Sequence, residues 1–162
     1  MTLPARSVLY AEDDENDAFF MERAFNRLQL ANALEIVRDG QKAVDRLAAE
    51  IGPRLPGDAP VRLLLLDVKM PHRTGLEVLE WVRRRPEFQH LPIVIITSST
   101  QEKDVAAAAA HGANAYLAKP SNAENLVGLV QRLLQLATPA PTPLRRFEIE
   151  GNQLPNRPAG AA

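Results

Sequence analysis

Three observations predict an α/β protein whose parallel sheet is covered by helices on both faces. Strand-like and helix-like stretches alternate five times along the chain. Two of the strand-like stretches, Leu63 to Leu66 and Ile93 to Ile96, are apolar without interruption, the pattern of central strands buried on both sides. Four of the five strands end on a charged or hydroxyl group: Glu12/Asp13, Asp67, Thr97 and Lys119. In a parallel sheet these ends share one edge, and ligands bind outside the carboxyl ends of the strands.

The first strand, Ser7 to Ala11, runs into Glu12-Asp13-Asp14-Glu15-Asn16-Asp17, five carboxylates in six residues. Acidic residues complement a helix N-terminus, and a helix follows from Asp17 to Leu30, with Ala18, Met21, Ala24, Phe25 and Leu28 on one face. Leu34 to Val37 is a short second strand, and Asp39-Gly40 turns into a helix built on Ala43, Val44, Leu47 and Ala48. A loop rich in Gly and Pro, residues 52–60, precedes the third strand, which ends on Asp67 and is stopped by Pro71. Gly75 to Arg85 is the third helix, with Leu76, Leu79 and Val82 along one side and Trp81 off that stripe. After Pro92 the fourth strand ends in Thr97-Ser98-Ser99-Thr100. The alanine-rich helix from Gln101 to His111 stops at Gly112, as a C-terminal glycine cap requires. Ala115 to Ala118 forms the fifth strand, ending on Lys119-Pro120. Ser121 is expected to cap the last helix in a capping box with Glu124, ahead of Leu126, Leu129, Val130, Leu133 and Leu134.

At 162 residues and 46% hydrophobic content the chain suits one domain, residues 1–137, with a Pro-rich tail over 138–162. Lys and Arg number 19 against 20 Asp and Glu, so the overall balance offers no nucleic-acid surface. No apolar run is long enough for a membrane span and no signal-peptide pattern opens the chain, so a soluble cytoplasmic protein is expected. The absence of cysteine excludes disulfides, thiolate metal sites and cysteine nucleophiles, and three scattered histidines, His72, His90 and His111, speak against a zinc site.

If the first and third strands are neighbours, the acidic cluster faces Asp67. Two carboxylates about 4 Å apart repel by roughly 4 kcal/mol at an effective dielectric near 20, so the cluster calls for a cation. Hard oxygen donors without His or Cys select Mg2+ or a similar ion. A carboxylate nucleophile (Asp67), a metal, an ammonium (Lys119) and a hydroxyl (Thr97) together meet the needs of a phosphoryl group carried on Asp67.

From Ser7 to about Leu136 the chain resembles the receiver domain of two-component response regulators: the acidic pair Glu12 and Asp13, Asp67-x-x-Met70-Pro71-x-x-x-Gly75, Thr97-Ser98 and Lys119-Pro120 carry the resemblance. It implies a flavodoxin-like, doubly wound five-stranded sheet in the order 2-1-3-4-5, and a phosphoryl group passed from a histidine kinase to Asp67. It implies Mg2+ held by Asp13, Asp67 and the backbone carbonyl of Lys69, with Glu12 acting through water. It also implies a cis peptide before Pro120 that aims Lys119, a switch in which Thr97 moves toward the phosphate as Tyr116 turns inward, and a kinase contact on the first helix. The output face is expected on residues 101–111, 115–117 and the last helix. Glu12-Asp13-Asp14-x-x-Asp17, Thr97-Ser98-Ser99 and the Pro-rich loop look like the single-domain regulators that partner bacterial phytochrome kinases, which are often homodimers. Leu144 to Ile149 is then a candidate dimerisation arm.

The chain departs from the family pattern at Thr74, which replaces an acidic residue, and at Lys69, whose ammonium could lie over the site and alter phosphate lifetime. His72 reads as a solvated loop residue. An aspartate-nucleophile phosphatase would carry a carboxylate where Lys69 stands, and a nucleotide-binding domain would carry a glycine-rich phosphate loop that this chain lacks. A phosphate-independent receiver scaffold is the remaining alternative; Asp13, Asp67, Thr97 and Lys119 being all present argues against it.

Overall fold

The computed structural model describes residues 2–99 and 101–138. Strand β1 (Val8–Ala11) leads to α1 (Glu15–Arg27), a single 3-10 turn at Ala31–Ala33 and β2 (Leu34–Val37). Then come α2 (Gly40–Ala48), β3 (Leu63–Leu66), α3 (Gly75–Arg83), a second 3-10 turn at Pro86–Phe88 and β4 (Ile93–Thr97). Helix α4 (Glu102–Ala110), β5 (Ala115–Ala118) and α5 (Ala123–Ala137) complete the described chain. The five strands form one parallel sheet in the order β2-β1-β3-β4-β5.

Alternation along the strands separates two cores. Val8, Tyr10, Leu63, Leu65, Val94, Ile96 and Leu117 face α1 and α5, where Met21, Phe25, Leu129 and Leu133 meet them. Leu9, Leu64, Leu66, Ile93, Ile95 and Tyr116 face the other way, against Val44 and Leu47 of α2 and Val78, Leu79 and Val82 of α3. The four leucines of β3 are fully buried, two in each core. Each contributes about 2 kcal/mol of burial, which is why so short a strand holds the centre of the sheet. Trp81 lies half-buried beside this core, with the Arg85 guanidinium stacked 3.5 Å from its ring centroid.

The ends of the helices account for several loop residues. Thr74 is the N-cap of α3: its hydroxyl accepts from the Glu77 amide, while the Glu77 carboxylate accepts from the Thr74 amide. Gly112 ends α4 with φ +91, a conformation L side chains rarely adopt. Beside it Arg83 donates to the carbonyls of Gly112, Phe88 and Leu91 and to the Asn114 side chain, at 2.8–3.0 Å. One guanidinium thus ties the end of α3 to the turns that precede β4 and β5.

Two expectations are corrected here. Asn122, not Ser121, is the N-cap of α5, its side chain accepting from the Asn125 amide at 2.8 Å. Glu124 then stands one position too early to close a capping box. The Lys119–Pro120 peptide is trans, as is every peptide bond among the described residues. The chain carries Lys119 to the sheet edge, where its amide donates to the Thr97 carbonyl at 3.0 Å. No helix among the described residues is long and apolar enough to cross a membrane. The candidate arm, Leu144 to Ile149, lies outside the described residues.

Candidate functional site

The register of the sheet assembles the site. Ala11 pairs with Leu66, so the next residue of each strand, Glu12 and Asp67, emerges at the same edge, and the Asp67 amide donates to the Ala11 carbonyl. Thr97 pairs with Ala118, which delivers Lys119 to that edge from β5.

The acidic run after β1 divides into distinct environments. Glu12 is fully buried: its Oε1 accepts from the Asp14 amide at 3.1 Å, and its Oε2 accepts from the Tyr10 hydroxyl at 2.9 Å and lies 2.7 Å from Lys119 Nζ. Asp13 is exposed and forms, with Glu12 and Asp67, a group whose carboxylate oxygens lie within 4.8 Å of one another. Asp14 caps α1 by accepting from the Asp17 amide, and Glu15 points to solvent. Asp17 turns back over the edge and takes a hydrogen bond from Lys119 Nζ at 2.6 Å.

Asp67 is buried at the centre. Its Oδ1 accepts from the Val68 amide at 2.7 Å and its Oδ2 accepts from Lys119 Nζ at 3.0 Å. The Lys119 ammonium thus donates to Asp17 and Asp67 and forms a third ion pair with Glu12, so three carboxylates surround it. Burial by itself would lower the Lys119 pKa, but the bonds from Asp17, Glu12 and Asp67 outweigh it and hold the ammonium well above its ordinary range. Glu12 is pushed up to about 7, chiefly by burial and further by the charge of Asp67, against the lowering effect of Lys119. Burial and the neighbouring Glu12 likewise hold the Tyr10 hydroxyl protonated far above the usual tyrosine range.

On the β4–β5 side, Thr97 is buried and its hydroxyl accepts from the Ser99 amide at 3.2 Å. Ser99 in turn accepts from the Tyr116 hydroxyl at 2.9 Å through its carbonyl, and donates its own hydroxyl to Asp104 of α4 at 2.7 Å. Tyr116 is buried against the α2–α3 core, which raises its pKa. Lys69 is exposed and forms no ion pair among the described residues, and His72 is exposed in the left-handed region, φ +66.

The structure thus brings together Glu12, Asp13, Asp67 and Lys119, while Thr97 and Tyr116 are joined through Ser99. Sequence reasoning missed Tyr10, Asp17 and Ser99 as parts of these networks. Two of them carried a signal. Tyr10 shares a strand face with Glu12 two residues on, and a buried tyrosine hydroxyl needs a partner. Asp17 continues the stripe of Met21 and Ala24 toward the sheet edge at i, i+4 and i+7.

The donor set of the acidic group is all oxygen, which fits a hard divalent cation. Comparison with known proteins agrees with the geometry. The protein FilR2 of Methanothrix harundinacea, described as a probable methanogenesis regulatory protein, is 34% identical over 126 residues, 78% of this chain and 79% of the relative. Response regulator Rcp1 of Synechocystis is 31% identical over 128 residues, covering 79% of this chain and 86% of Rcp1. The Mn2+-bound structure of Rcp1 superimposes with a TM-score of 0.65, covering 77% of this chain and 88% of Rcp1. The bacteriophytochrome response regulator RtBRR is 35% identical with a TM-score of 0.65, over 81% of this chain and 78% of RtBRR. The family model for the response regulator receiver domain matches residues 8–131, and the chain belongs to that family of signalling proteins.

Proposed function

We propose that Asp67 accepts a phosphoryl group from a phosphohistidine of a sensor histidine kinase. The nitrogen–phosphorus bond breaks, an Asp67 Oδ–phosphorus bond forms, and the released imidazole nitrogen takes up a proton. The observation that carries this reading is the pairing of a buried Asp67 carboxylate with Lys119 Nζ at 3.0 Å beside the Glu12–Asp13 pair. Asp13, Asp67 and the Lys69 carbonyl would hold Mg2+, with Glu12 acting through water; the ion would offset charge on the transferring phosphoryl oxygens. Lys119 places a fixed positive charge on the same oxygens, and the Thr97 hydroxyl is a donor at the next strand end. Because the Thr97, Ser99 and Tyr116 groups form one chain, movement of the Thr97 hydroxyl toward a phosphoryl group disturbs the Tyr116–Ser99 bond and, through Asp104, α4.

The chain works as a cytoplasmic signalling protein, and its output passes through the face formed by α4, β5 and α5. The likeness to a bacteriophytochrome response regulator favours a phytochrome-type kinase as the donor and a homodimer as the working form. Incubation with acetyl phosphate and Mg2+, followed by mobility-shift electrophoresis, tests the central claim. Wild type shifts and Asp67→Asn does not; an unshifted wild type, or a shift that survives in Asp67→Asn, refutes it. Light scattering with and without beryllofluoride then reads whether the mass changes with occupancy of the site.

A further inference from the structure

We propose that Asp17 is a positioning residue that competes with a phosphoryl group on Asp67 for the Lys119 ammonium. This rests on the phosphoacceptor reading above and adds a control element to the same site. The Lys119 ammonium has three protons; it donates to Asp17 at 2.6 Å and Asp67 at 3.0 Å and pairs with Glu12 Oε2 at 2.7 Å. A phosphoryl group on Asp67 brings new anionic oxygens, so the ammonium serves them only by giving up a present partner.

The environments decide which partner leaves. The Glu12 side chain is 0% exposed, and stripping a buried carboxylate of its cation is costly. The Asp17 side chain is 37% exposed, so water takes over its solvation at small cost. Asp17 is the carboxylate that lets go. In the resting protein it holds the Lys119 ammonium from α1. That hold opposes occupancy of the site.

Asp17 also lines a cavity of about 350 Å3 between α1 and the β5–α5 connection, together with Phe20, Met21, Pro120 and Leu126. Release of Asp17 therefore leaves a carboxylate without its ammonium partner in the lining of this cavity, which it shares with the exposed Phe20 ring. The first turn of α1 becomes a second place, apart from α4, where phosphorylation is registered.

The test is calorimetric titration of the full chain with beryllofluoride at saturating Mg2+. Asp17→Asn is expected to bind about fivefold tighter than wild type, the scale of one partly exposed ion pair. Glu15→Gln removes another first-turn acid, one that does not pair with Lys119, and is expected to stay within about twofold of wild type. In a Lys119→Ala background the gain from Asp17→Asn disappears if Asp17 acts through the ammonium. The Lys119 side-chain ammonium resonance supplies a readout independent of affinity: Asp17→Asn shifts it and speeds its hydrogen exchange, and Glu15→Gln does neither. Unchanged or weaker binding by Asp17→Asn, an equal gain in Glu15→Gln, or a gain that persists without Lys119 overturns the inference. Absence of Asp67-dependent binding in wild type overturns instead the phosphoacceptor reading on which it rests.

Discussion

Gly75 and Asp67 pack backbone to backbone: a Cβ built on Gly75 would lie 2.0 Å from the Asp67 carbonyl oxygen and 2.8 Å from its carbonyl carbon. The Gly75 amide also donates to the Val68 carbonyl at 2.8 Å, which fixes the start of α3 beneath the end of β3. Gly75→Ala must push these segments apart and is expected to destabilise the protein by about 2–3 kcal/mol in urea denaturation. Gly128 is the contrasting case, a mid-helix glycine in α5 with nothing within 4 Å of its built Cβ. Gly128→Ala should stabilise by about 0.5–1 kcal/mol.

Tyr10→Phe keeps the ring in its core and removes only the hydroxyl that serves Glu12. Loss of a buried hydrogen bond to a carboxylate predicts about 1–3 kcal/mol of destabilisation, measured by denaturation at neutral pH without metal. A change below about 0.3 kcal/mol would mean that Lys119 and the Asp14 amide sustain Glu12 without it.

Asp13→Asn removes a carboxylate from the group that faces Asp67, so Mn2+ affinity, followed by electron paramagnetic resonance, is expected to fall by about tenfold or more. Asp14→Asn is the matched control. Asn caps a helix as well as Asp does, and Asp14 lies outside the group, so metal affinity should stay within about twofold and stability within about 0.5 kcal/mol.

Arg83→Lys retains the charge and gives up the planar fork. An ammonium at that position cannot serve three carbonyls and the Asn114 amide oxygen with the same reach, so buried acceptors lose partners. Destabilisation of about 2–4 kcal/mol in urea is expected, with little change in beryllofluoride affinity, because the contacts lie at the sheet edge away from Asp67.

The sheet and the central carboxylates were legible because each rests on local pattern. Leu63 to Leu66 and Ile93 to Ile96 can only be doubly buried strands, and a charged residue directly after such a run is placed by the strand itself. Asp67 follows from that alone, and Glu12 and Lys119 follow from the alternation that makes Ser7 to Ala11 and Ala115 to Ala118 strands of the same sheet. What was not legible depends on geometry across the chain. The five acids after β1 look alike in sequence, yet one caps α1, one faces solvent, one is buried against Tyr10, one joins Asp67 in the acidic group and one reaches Lys119, 102 residues away. Ser121 and Asn122 are both competent caps, and the structure uses the second. Nothing in the sequence around Arg83 marks its role, because all four of its acceptors belong to other segments.

The same Arg83 contacts determine how α4 can move. Its C-terminal end is fastened through Gly112 and Asn114, whereas its body contributes only Ala108 to the buried core and its N-terminal end is held through Ser99. A rod fastened by several bonds at one end and by a single side-chain hydrogen bond at the other swings more readily than it slides. Nine residues of helix measure roughly 14 Å, so a rotation of about 10° at the Gly112 end displaces the Glu102 end by about 2 Å. Under the proposed switch, a shift of the Thr97 hydroxyl would reach α4 through Ser99 and Asp104, at the end of the helix opposite its Gly112 fastening, and would be read at the surface as a change of slope.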